Sequence, residues 1–140
     1  MLFRVKRLVP EAVVPSRGGF GSAGLDLYCL NSIDLYPGCF ANVGTGLAIE
    51  FPIGYVADIR PRSSLSSQQV HCYLGTIDSD YRGELRYFLH NLGEELRHFP
   101  AGSRLAQLVL LETPEHVEIE EVEQLSSSER GERGFGSTGQ

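Results

Sequence analysis

The sequence predicts an all-β domain, a jelly-roll-like β-barrel with one short helix. The 16 glycines and 7 prolines interrupt the chain every several residues, which favours short strands over long helices. Between these interruptions, apolar and polar side chains alternate with the period of a strand. The turn signals recur about every 8–12 residues, a spacing typical of barrels and jelly rolls.

Size and charge limit the classes of function. A chain of 140 residues, 41% of them hydrophobic, predicts one folded domain. A net charge of −6 disfavours a nucleic-acid partner, and no apolar run reaches the ~18 residues of a membrane span. The three cysteines lack zinc-ligand spacing, which predicts free thiols in a reducing compartment. We therefore expect an intracellular, soluble protein, cytoplasmic or nuclear, without a membrane partner.

The first half of the chain reads as a series of strands. A strand over 2–9 is followed by a loop over 10–21 and a strand over 23–30, in which Asp26 lies on the face opposite Leu25 and Leu27. Further strands are predicted over 33–36, 40–43, 46–51 and 54–59. Residues 61–69 break this rhythm and predict a helix of one to two turns, capped by Ser63 or Ser64.

The second half contains a predicted hairpin. A strand over 70–77 leads into a type I turn with Asp80 and Gly83 at its first and fourth positions, and the alternation from Leu85 to His90 predicts the returning strand. Strands over 94–99 and 104–111 follow, and 116–123 is a strand whose glutamates form a solvated face.

Asp78 and Tyr81 are the first candidate site residues. The predicted turn presents a carboxylate three residues before an aromatic ring. A carboxylate at a turn can orient a water molecule as a base, and the ring can support a flat or sugar-like ligand. The alternative is a surface hairpin with an Asx-type turn.

Other segments carry groups that bind phosphate. Arg62, with Ser63 and Ser64 at a helix start, offers a guanidinium, hydroxyls and backbone N–H groups. Asp26 is a possible metal carboxylate, and Gln107 is an amide in an apolar strand. The Gly/Ser-rich stretch 126–140 has the composition of a disordered tail, yet it carries arginines, hydroxyls and Phe135. Together these groups indicate a hydrolase acting on a nucleoside polyphosphate.

Five segments in order resemble the five motifs of the trimeric dUTPases (deoxyuridine triphosphate nucleotidohydrolases). They are Ala-Gly-Leu-Asp-Leu (23–27), Pro-Arg-Ser-Ser-Leu (61–65), Gly-Thr-Ile-Asp-Ser-Asp-Tyr-Arg-Gly (75–83), Arg-Leu-Ala-Gln-Leu (104–108) and Arg-Gly-Glu-Arg-Gly-Phe-Gly-Ser-Thr-Gly (130–139). The resemblance implies a homotrimer with shared sites, Mg²⁺, and cleavage of dUTP to dUMP and pyrophosphate. It also implies a barrel over 1–125 and a flexible arm over 126–140, exchanged between subunits, that closes over the nucleotide.

The resemblance also implies a role for each matching residue. Asp78 would hold the 3′-hydroxyl and orient the attacking water, and Tyr81 would pack under the deoxyribose. Gly75 and the backbone near Arg86 would read the uracil edge. Asp26 would hold Mg²⁺ through water. The implied phosphate ligands are Arg62, Ser63, Ser64, Gln107, Arg130, Ser137 and Thr138, with Gly136 among the substrate-binding residues and Phe135 stacked over uracil.

Three departures from the family pattern remove no catalytic group. Ser64 and Arg133 stand where glycine is usual, and Ser103 where aspartate is frequent. Two alternative functions stay open from the residues: an enzyme related to dCTP deaminase, and a non-catalytic interaction protein on the same trimeric scaffold.

Overall fold

The computed structural model describes residues 1–73, 75–114 and 117–133, which form twelve strands and one helix. The strands are Arg4–Arg7 (β1), Ser16–Arg17 (β2), Leu25–Tyr28 (β3), Ile33–Leu35 (β4), Phe40–Gly44 (β5), Leu47–Glu50 (β6), Tyr55–Arg60 (β7), Val70–Cys72 (β8), Gly75–Ile77 (β9), Arg86–Asn91 (β10), Arg97–Phe99 (β11) and Arg104–Glu112 (β12). The helix, α1, is Ser63–Ser66.

All of these strands pair antiparallel. A five-stranded sheet has the order β2-β3-β12-β7-β9, and a three-stranded sheet has the order β5-β10-β8. Two further pairs, β1-β6 and β11-β4, complete the arrangement. The prediction of an all-β, jelly-roll-like fold with one short helix is confirmed.

Alternation along the strands builds the core. On β10, Tyr87, Leu89 and Asn91 are buried, whereas Arg86 and Phe88 are exposed. Burying the apolar face of each strand in this way supplies most of the favourable free energy of folding. Asn91 is satisfied in the core, because its Nδ2 donates to the carbonyls of Leu35 (2.9 Å) and Glu95 (2.7 Å). Buried apolar side chains from both larger sheets, the smaller strand pairs and α1 form one continuous core.

The predicted hairpin, with one strand over 70–77 and a returning strand from Leu85 to His90, is wrong. Strand β9 pairs with β7, whereas β10 pairs with β5 and β8. The turn bond runs from the Tyr81 N–H to the Asp78 carbonyl (3.1 Å), so the turn begins at Asp78 and not at Asp80. Leu85 explains the difference, since its N–H donates to the Leu47 carbonyl (2.7 Å) and its carbonyl accepts from Thr45 N–H (3.2 Å). The chain after the turn is thus held by the β5–β6 connection.

Three smaller expectations also change. The strand predicted over 70–77 is divided into β8 and β9, which belong to different sheets. The N-cap of α1 is Arg62, in extended conformation and without a side-chain cap bond, and not Ser63 or Ser64 as predicted; Leu65 is the buried residue of this helix. Residues 117–122 form no strand, although one was predicted over 116–123. Without a neighbouring strand the backbone groups there have no ladder partners, so alternation alone cannot hold a strand.

Two further expectations concern the cysteines and the membrane. Cys29, Cys39 and Cys72 are free thiols, as predicted, and burial raises the pKa of Cys72 to about 11. In the described part of the chain, no helix has the length and apolar character that crossing a membrane requires.

Candidate active site

The first cleft, which we call the Asp26 cleft, lies across three neighbouring strands. Gln107 on β12 pairs with Asp26 on β3 and with Arg60 at the end of β7, so the chain after β7 runs past both residues. The cleft has a volume of about 290 Å³. It is lined by five of the predicted residues, Asp26, Arg62, Ser63, Ser64 and Gln107, together with Arg104.

Arginine charge dominates the Asp26 cleft. Asp26 is only 8% exposed, and its two carboxylate oxygens lie 3.3 Å from Arg62 Nε and 3.2 Å from Arg104 Nη1. Arg62 is fixed further by donation from Nη1 to the Arg104 carbonyl (2.9 Å). Two guanidinium groups around one carboxylate leave a net positive charge, which favours an anion such as phosphate.

Gln107 is held in place at the same cleft. Its Nε2 donates to the Pro61 carbonyl (2.9 Å), so its amide oxygen is left to face other partners. A Cβ on Gly24 would collide with that oxygen. The absence of a side chain at Gly24 therefore leaves room for the Gln107 amide.

A metal ion bound directly by several side chains does not fit this cleft. Among the residues that the structure describes, no group of three or more His, Cys, Asp or Glu side chains comes together. Mg²⁺ commonly keeps several waters and uses one or two carboxylates with substrate phosphates. Asp26 is a single carboxylate beside an anion-binding surface, so it fits a Mg²⁺ ion that is held through water and bound mainly by substrate phosphates.

The second cleft, the Asp78 cleft, lies between the end of β9 and the start of β10. Its volume is about 200 Å³, and it is lined by Thr76, Ile77, Asp78, Tyr81, Glu84 and Arg86. The Tyr81 ring is 44% exposed, and its hydroxyl donates to the Glu84 carbonyl (3.1 Å). Asp78 is exposed at the same cleft, so the predicted carboxylate and ring do come together.

Among the described residues, the two strands that flank the Asp78 cleft have edges that are largely unpaired. Strand β9 is the last strand of its sheet. On the facing edge of β10, pairing with β8 covers Leu89 to Asn91, and one further bond runs from Tyr73 N–H to the Phe88 carbonyl (3.0 Å). An unpaired edge presents a row of N–H and C=O groups. The gap between these strands thus offers backbone donors and acceptors to a flat ligand. Gly75 lies on β9, paired with Ile59.

The two clefts lie at opposite ends of β7. Ile77 pairs with Ala57 near the start of β7, whereas Gln107 pairs with Arg60 at its end. With strand rises near 3.3 Å and strand spacings near 4.8 Å, this register separates Asp78 from Gln107 by roughly 15 Å. The two clefts have no lining residue in common.

The C-terminal motif is only partly described. Arg130 bonds within its own segment, since its Nε donates to the Arg133 carbonyl (2.9 Å), and it lines neither of the two clefts. Phe135, Gly136, Ser137 and Thr138 lie outside the described residues.

Sequence reasoning gave no role to two residues that line the clefts, Arg104 and Glu84. Arg104 is three residues from Gln107, which in a regular strand would place the two side chains on opposite faces. The β12–β3 register shifts between Arg104 and Ala106, and this irregularity brings both side chains to the same cleft. Burial raises the pKa of Glu84, but hydrogen bonds from Gly46 N–H and Arg86, with the Arg86 charge, outweigh it and lower that pKa.

Comparison with known proteins agrees with this geometry. A family model described as dUTPase matches residues 10–139. The deoxyuridine 5′-triphosphate nucleotidohydrolase of Wolinella succinogenes is 44% identical over 142 residues, covering 99% of this chain and 95% of the relative. The enzyme of the same name from Anaplasma marginale is 47% identical over 131 residues, covering 90% and 88%.

Solved structures are similar over the same length. The Staphylococcus bacteriophage 80alpha dUTPase with dUpNHpp is 30% identical, with a TM-score of 0.89 over 99% of this chain and 98% of that chain. A mutant dUTPase from phage phi11 of S. aureus is 25% identical, with a TM-score of 0.83 over 91% and 100%. On the match of nearly the whole chain to this family, in sequence and in fold, the chain belongs to the dUTPase family.

Proposed function

We propose that this chain hydrolyses dUTP to dUMP and pyrophosphate, which limits dUTP and supplies dUMP for thymidylate synthesis. The observation that carries the proposal is the Asp78 cleft, where a carboxylate and an aromatic ring flank two open strand edges. The relatives that match almost the whole chain bear the name deoxyuridine 5′-triphosphate nucleotidohydrolase, which supports the same substrate.

The base enters between β9 and β10. Packing against the described residues does not require glycine at position 75, because a Cβ there would lie an ordinary 3.9 Å from Ile59. Close approach of uracil to the backbone accounts for the glycine instead. On the facing strand the Arg86 side chain is already bonded to Glu84 and Asn42, so its backbone is the part that reads the base. Tyr81 packs under the deoxyribose and excludes a 2′-hydroxyl.

Asp78 performs the chemistry. It accepts a hydrogen bond from the 3′-hydroxyl and from a water molecule aimed at the α-phosphorus. As the water oxygen bonds to phosphorus, its proton passes to Asp78, and the bond to the bridging oxygen breaks. The electron pair leaves with pyrophosphate. A general base positioned in this way typically increases the reaction rate by a factor of about 10²–10⁴.

The Asp26 cleft receives the phosphates. Arg62, Ser63, the Ser64 backbone and Gln107 bind phosphate oxygens, and the second guanidinium, Arg104, adds positive charge. Mg²⁺ on the triphosphate would be held through water by Asp26, and would draw the phosphate oxygens together and offset their charge. A structural Mg(II) ion is coordinated in the related phi11 dUTPase, which supports a role for the same metal here.

The active site is completed by other copies of the chain in a homotrimer. Since Asp78 and Gln107 are roughly 15 Å apart in one chain, the base-binding and phosphate-binding halves of a site belong to different subunits. Val117, Ile119 and Leu125 are exposed on a segment that pairs with no strand among the described residues, which favours its exchange onto a neighbour.

The chain then divides into a barrel over 1–125 and an arm over 126–140 that closes over the nucleotide. Within the arm, Arg130, Ser137 and Thr138 clamp the γ-phosphate, Gly136 lets the backbone approach, and Phe135 stacks over uracil.

The two alternatives have less support. A dCTP deaminase needs a free carboxylate near the exocyclic amine, and apart from Asp78 the only carboxylate lining the described Asp78 cleft is Glu84, which is already bonded to Gly46 and Arg86. A non-catalytic scaffold would have no use for the complete set of site groups.

A pyrophosphate-release assay tests the proposal. The wild-type chain is given each deoxynucleoside triphosphate, and UTP, with Mg²⁺ and with EDTA, and dUTP in Mg²⁺ should be the preferred substrate. Asp78→Asn should keep the fold and lose about 10²–10⁴ in kcat. Asp80→Asn, in the same loop but not lining the cleft, is the matched control. No release from dUTP by the wild type, or near-normal turnover by folded Asp78→Asn, would contradict the proposal.

A further inference from the structure

The Glu84 carboxylate joins three segments around the Asp78 cleft. Its Oε1 accepts from the Gly46 N–H (2.9 Å), in the β5–β6 connection. Its Oε2 accepts from Arg86 Nη1 (2.6 Å), at the first residue of β10. Its backbone carbonyl accepts from the Tyr81 hydroxyl (3.1 Å). One residue therefore connects the barrel to both the ring and the strand that form the cleft.

Arg86 continues this connection to β5. Its Nε donates to Asn42 Oδ1 (2.9 Å) and its Nη2 to the Asn42 carbonyl (3.2 Å). The guanidinium is thus held between Glu84 on one side and Asn42 on the other, and charge-assisted bonds of this kind fix orientation strongly. The backbone of Arg86, a wall of the cleft, is fixed with it.

Gly44 leaves room for the Glu84 carboxylate because it has no side chain. A Cβ there would lie 2.6 Å from Glu84 Oε1 and 3.0 Å from Arg86 Nη1. Either atom would have to move, which would disturb the bond from Gly46 N–H to Glu84 Oε1 or the bond from Arg86 Nη1 to Glu84 Oε2. The glycine opposite Arg86 on β5 therefore leaves the space that this side-chain arrangement occupies.

We propose that Glu84 is a positioning residue for nucleotide recognition, holding the Arg86 backbone and the Tyr81 ring at the spacing that accepts uracil and deoxyribose. This inference rests on the proposed function, in which those two groups bind base and sugar. The bonds of Glu84 run to Gly46, Tyr81 and Arg86, which shape the cleft, so its role lies in binding and base selection rather than in the chemical step.

Kinetics and binding of Glu84→Gln test this role in the full chain. The variant keeps the size of the side chain but loses the charge that Arg86 requires. We expect KM for dUTP and Kd for the non-hydrolysable dUpNHpp to rise about tenfold, with kcat within about twofold, the size of effect expected for one charged hydrogen bond. The preference for dUTP over dCTP should fall as well, since a hydrogen-bonding site selects only while its groups are fixed. Gly44→Ala, which displaces the carboxylate without changing charge, should have the same effects.

Glu95→Gln is the matched control. Glu95 also pairs with the arginine two residues later, Arg97 at 3.3 Å, but it lines neither cleft, and its variant should leave KM, kcat and base preference unchanged. The inference is overturned if folded Glu84→Gln keeps the wild-type KM and base preference, or if only its kcat falls. Absence of dUTP hydrolysis by the wild type would instead remove the proposed function itself, so the two failures are distinct.

Discussion

At the scale of single residues, the position of Tyr81 depends on a neighbour that has no side chain. A Cβ on Gly83 would lie 2.5 Å from Tyr81 Cζ and closer still to its hydroxyl. Gly83→Ala should therefore push the ring off its bond to the Glu84 carbonyl, and sugar selection should weaken. We expect kcat/KM for dUTP to fall and the ratio of dUTP to UTP hydrolysis to fall with it, in the same direction as in Tyr81→Ala.

The control for that experiment is Gly38→Ala. Gly38 has a positive φ of 71°, so its variant carries backbone strain, but a Cβ there meets nothing within 4 Å. It should lower the melting temperature without changing the dUTP/UTP ratio. An unchanged ratio in both Gly83→Ala and Tyr81→Ala would show that sugar selection lies elsewhere.

The lowered pKa of Glu84 predicts a dependence of stability on pH. Burial raises that pKa, but the bonds from Gly46 N–H and Arg86 outweigh the effect. A carboxyl whose folded pKa is below its unfolded value, about 4.3, stabilises the fold above that pH. This stabilisation is lost as the pH falls through the folded pKa. The free energy of unfolding of the wild type should therefore fall more than that of Glu84→Gln between about pH 6 and pH 3.

Urea unfolding at a series of pH values measures this difference. The comparison is made in an Asp78→Asn background, with and without Glu84→Gln, because the Asp78 carboxyl lines the same cleft as Glu84 and Arg86. A constant difference between the two proteins across this range would contradict the expected contribution of Glu84.

At the scale of the elements, strand periodicity predicted most of the strands and their buried faces but not their partners. It missed β2, which lies in the loop predicted over 10–21, and it predicted a strand over 116–123 where residues 117–122 form none. The alternation from Leu85 to His90 is correct, and β10 buries Leu89 and exposes Phe88. The same alternation fits a hairpin with β9 equally well. The true pairing depends on Leu47 and Thr45, about forty residues earlier, which bond the backbone of Leu85. A local pattern does not contain that information.

Some residues of the candidate site could likewise be predicted from the sequence and others could not. Asp26, Arg62, Asp78 and Tyr81 could be identified from residue type and motif, and each lines one of the two clefts. Arg104 could not, because a register irregularity in β12 places it there, and such an irregularity has no signal in the alternation. Glu84 acts through tertiary bonds that only the folded chain reveals.

The described C-terminal segment predicts a response to nucleotide. Over 117–133 the chain has no strand, and its side chains are exposed, so its amides should exchange quickly in the absence of ligand. If the arm closes over the nucleotide, dUpNHpp should slow exchange over 126–133, together with that of the Asp78 loop. The amides of β12, already in a ladder on both sides, are the internal control. Exchange over 126–133 that ignores saturating dUpNHpp would contradict closure of the arm.

At the scale of the whole molecule, the separation of the two clefts predicts complementation between inactive chains. Asp78→Asn lacks the proposed general base, and Arg62→Ala lacks a proposed phosphate ligand of the other cleft. If one site takes these groups from different subunits, unfolding and refolding the two variants together should restore roughly a quarter of the sites, since each of two chains must be intact at the relevant position.

Three controls accompany the mixture. Each variant is refolded alone, and a chain carrying both changes is refolded with the Asp78→Asn variant, which should restore nothing because no Asp78 is present. A second pair, Asp78→Asn with a chain ending before Arg130, asks the same question of the arm. If the mixtures stay as inactive as their components, each site is made within one chain and the shared-site proposal must be abandoned.

The placement of the two clefts at opposite ends of β7 also has a genetic consequence. If the chain forms the proposed trimer with shared sites, an allele that has lost both Asp78 and Arg62 would remove the general base from one site of a mixed trimer and a phosphate ligand from another. Such an allele would be more dominant than one that has lost either residue alone. Two alleles that have each lost a different one of these residues would together keep some activity. On this proposal, the register of a single strand determines how mutations in this gene combine.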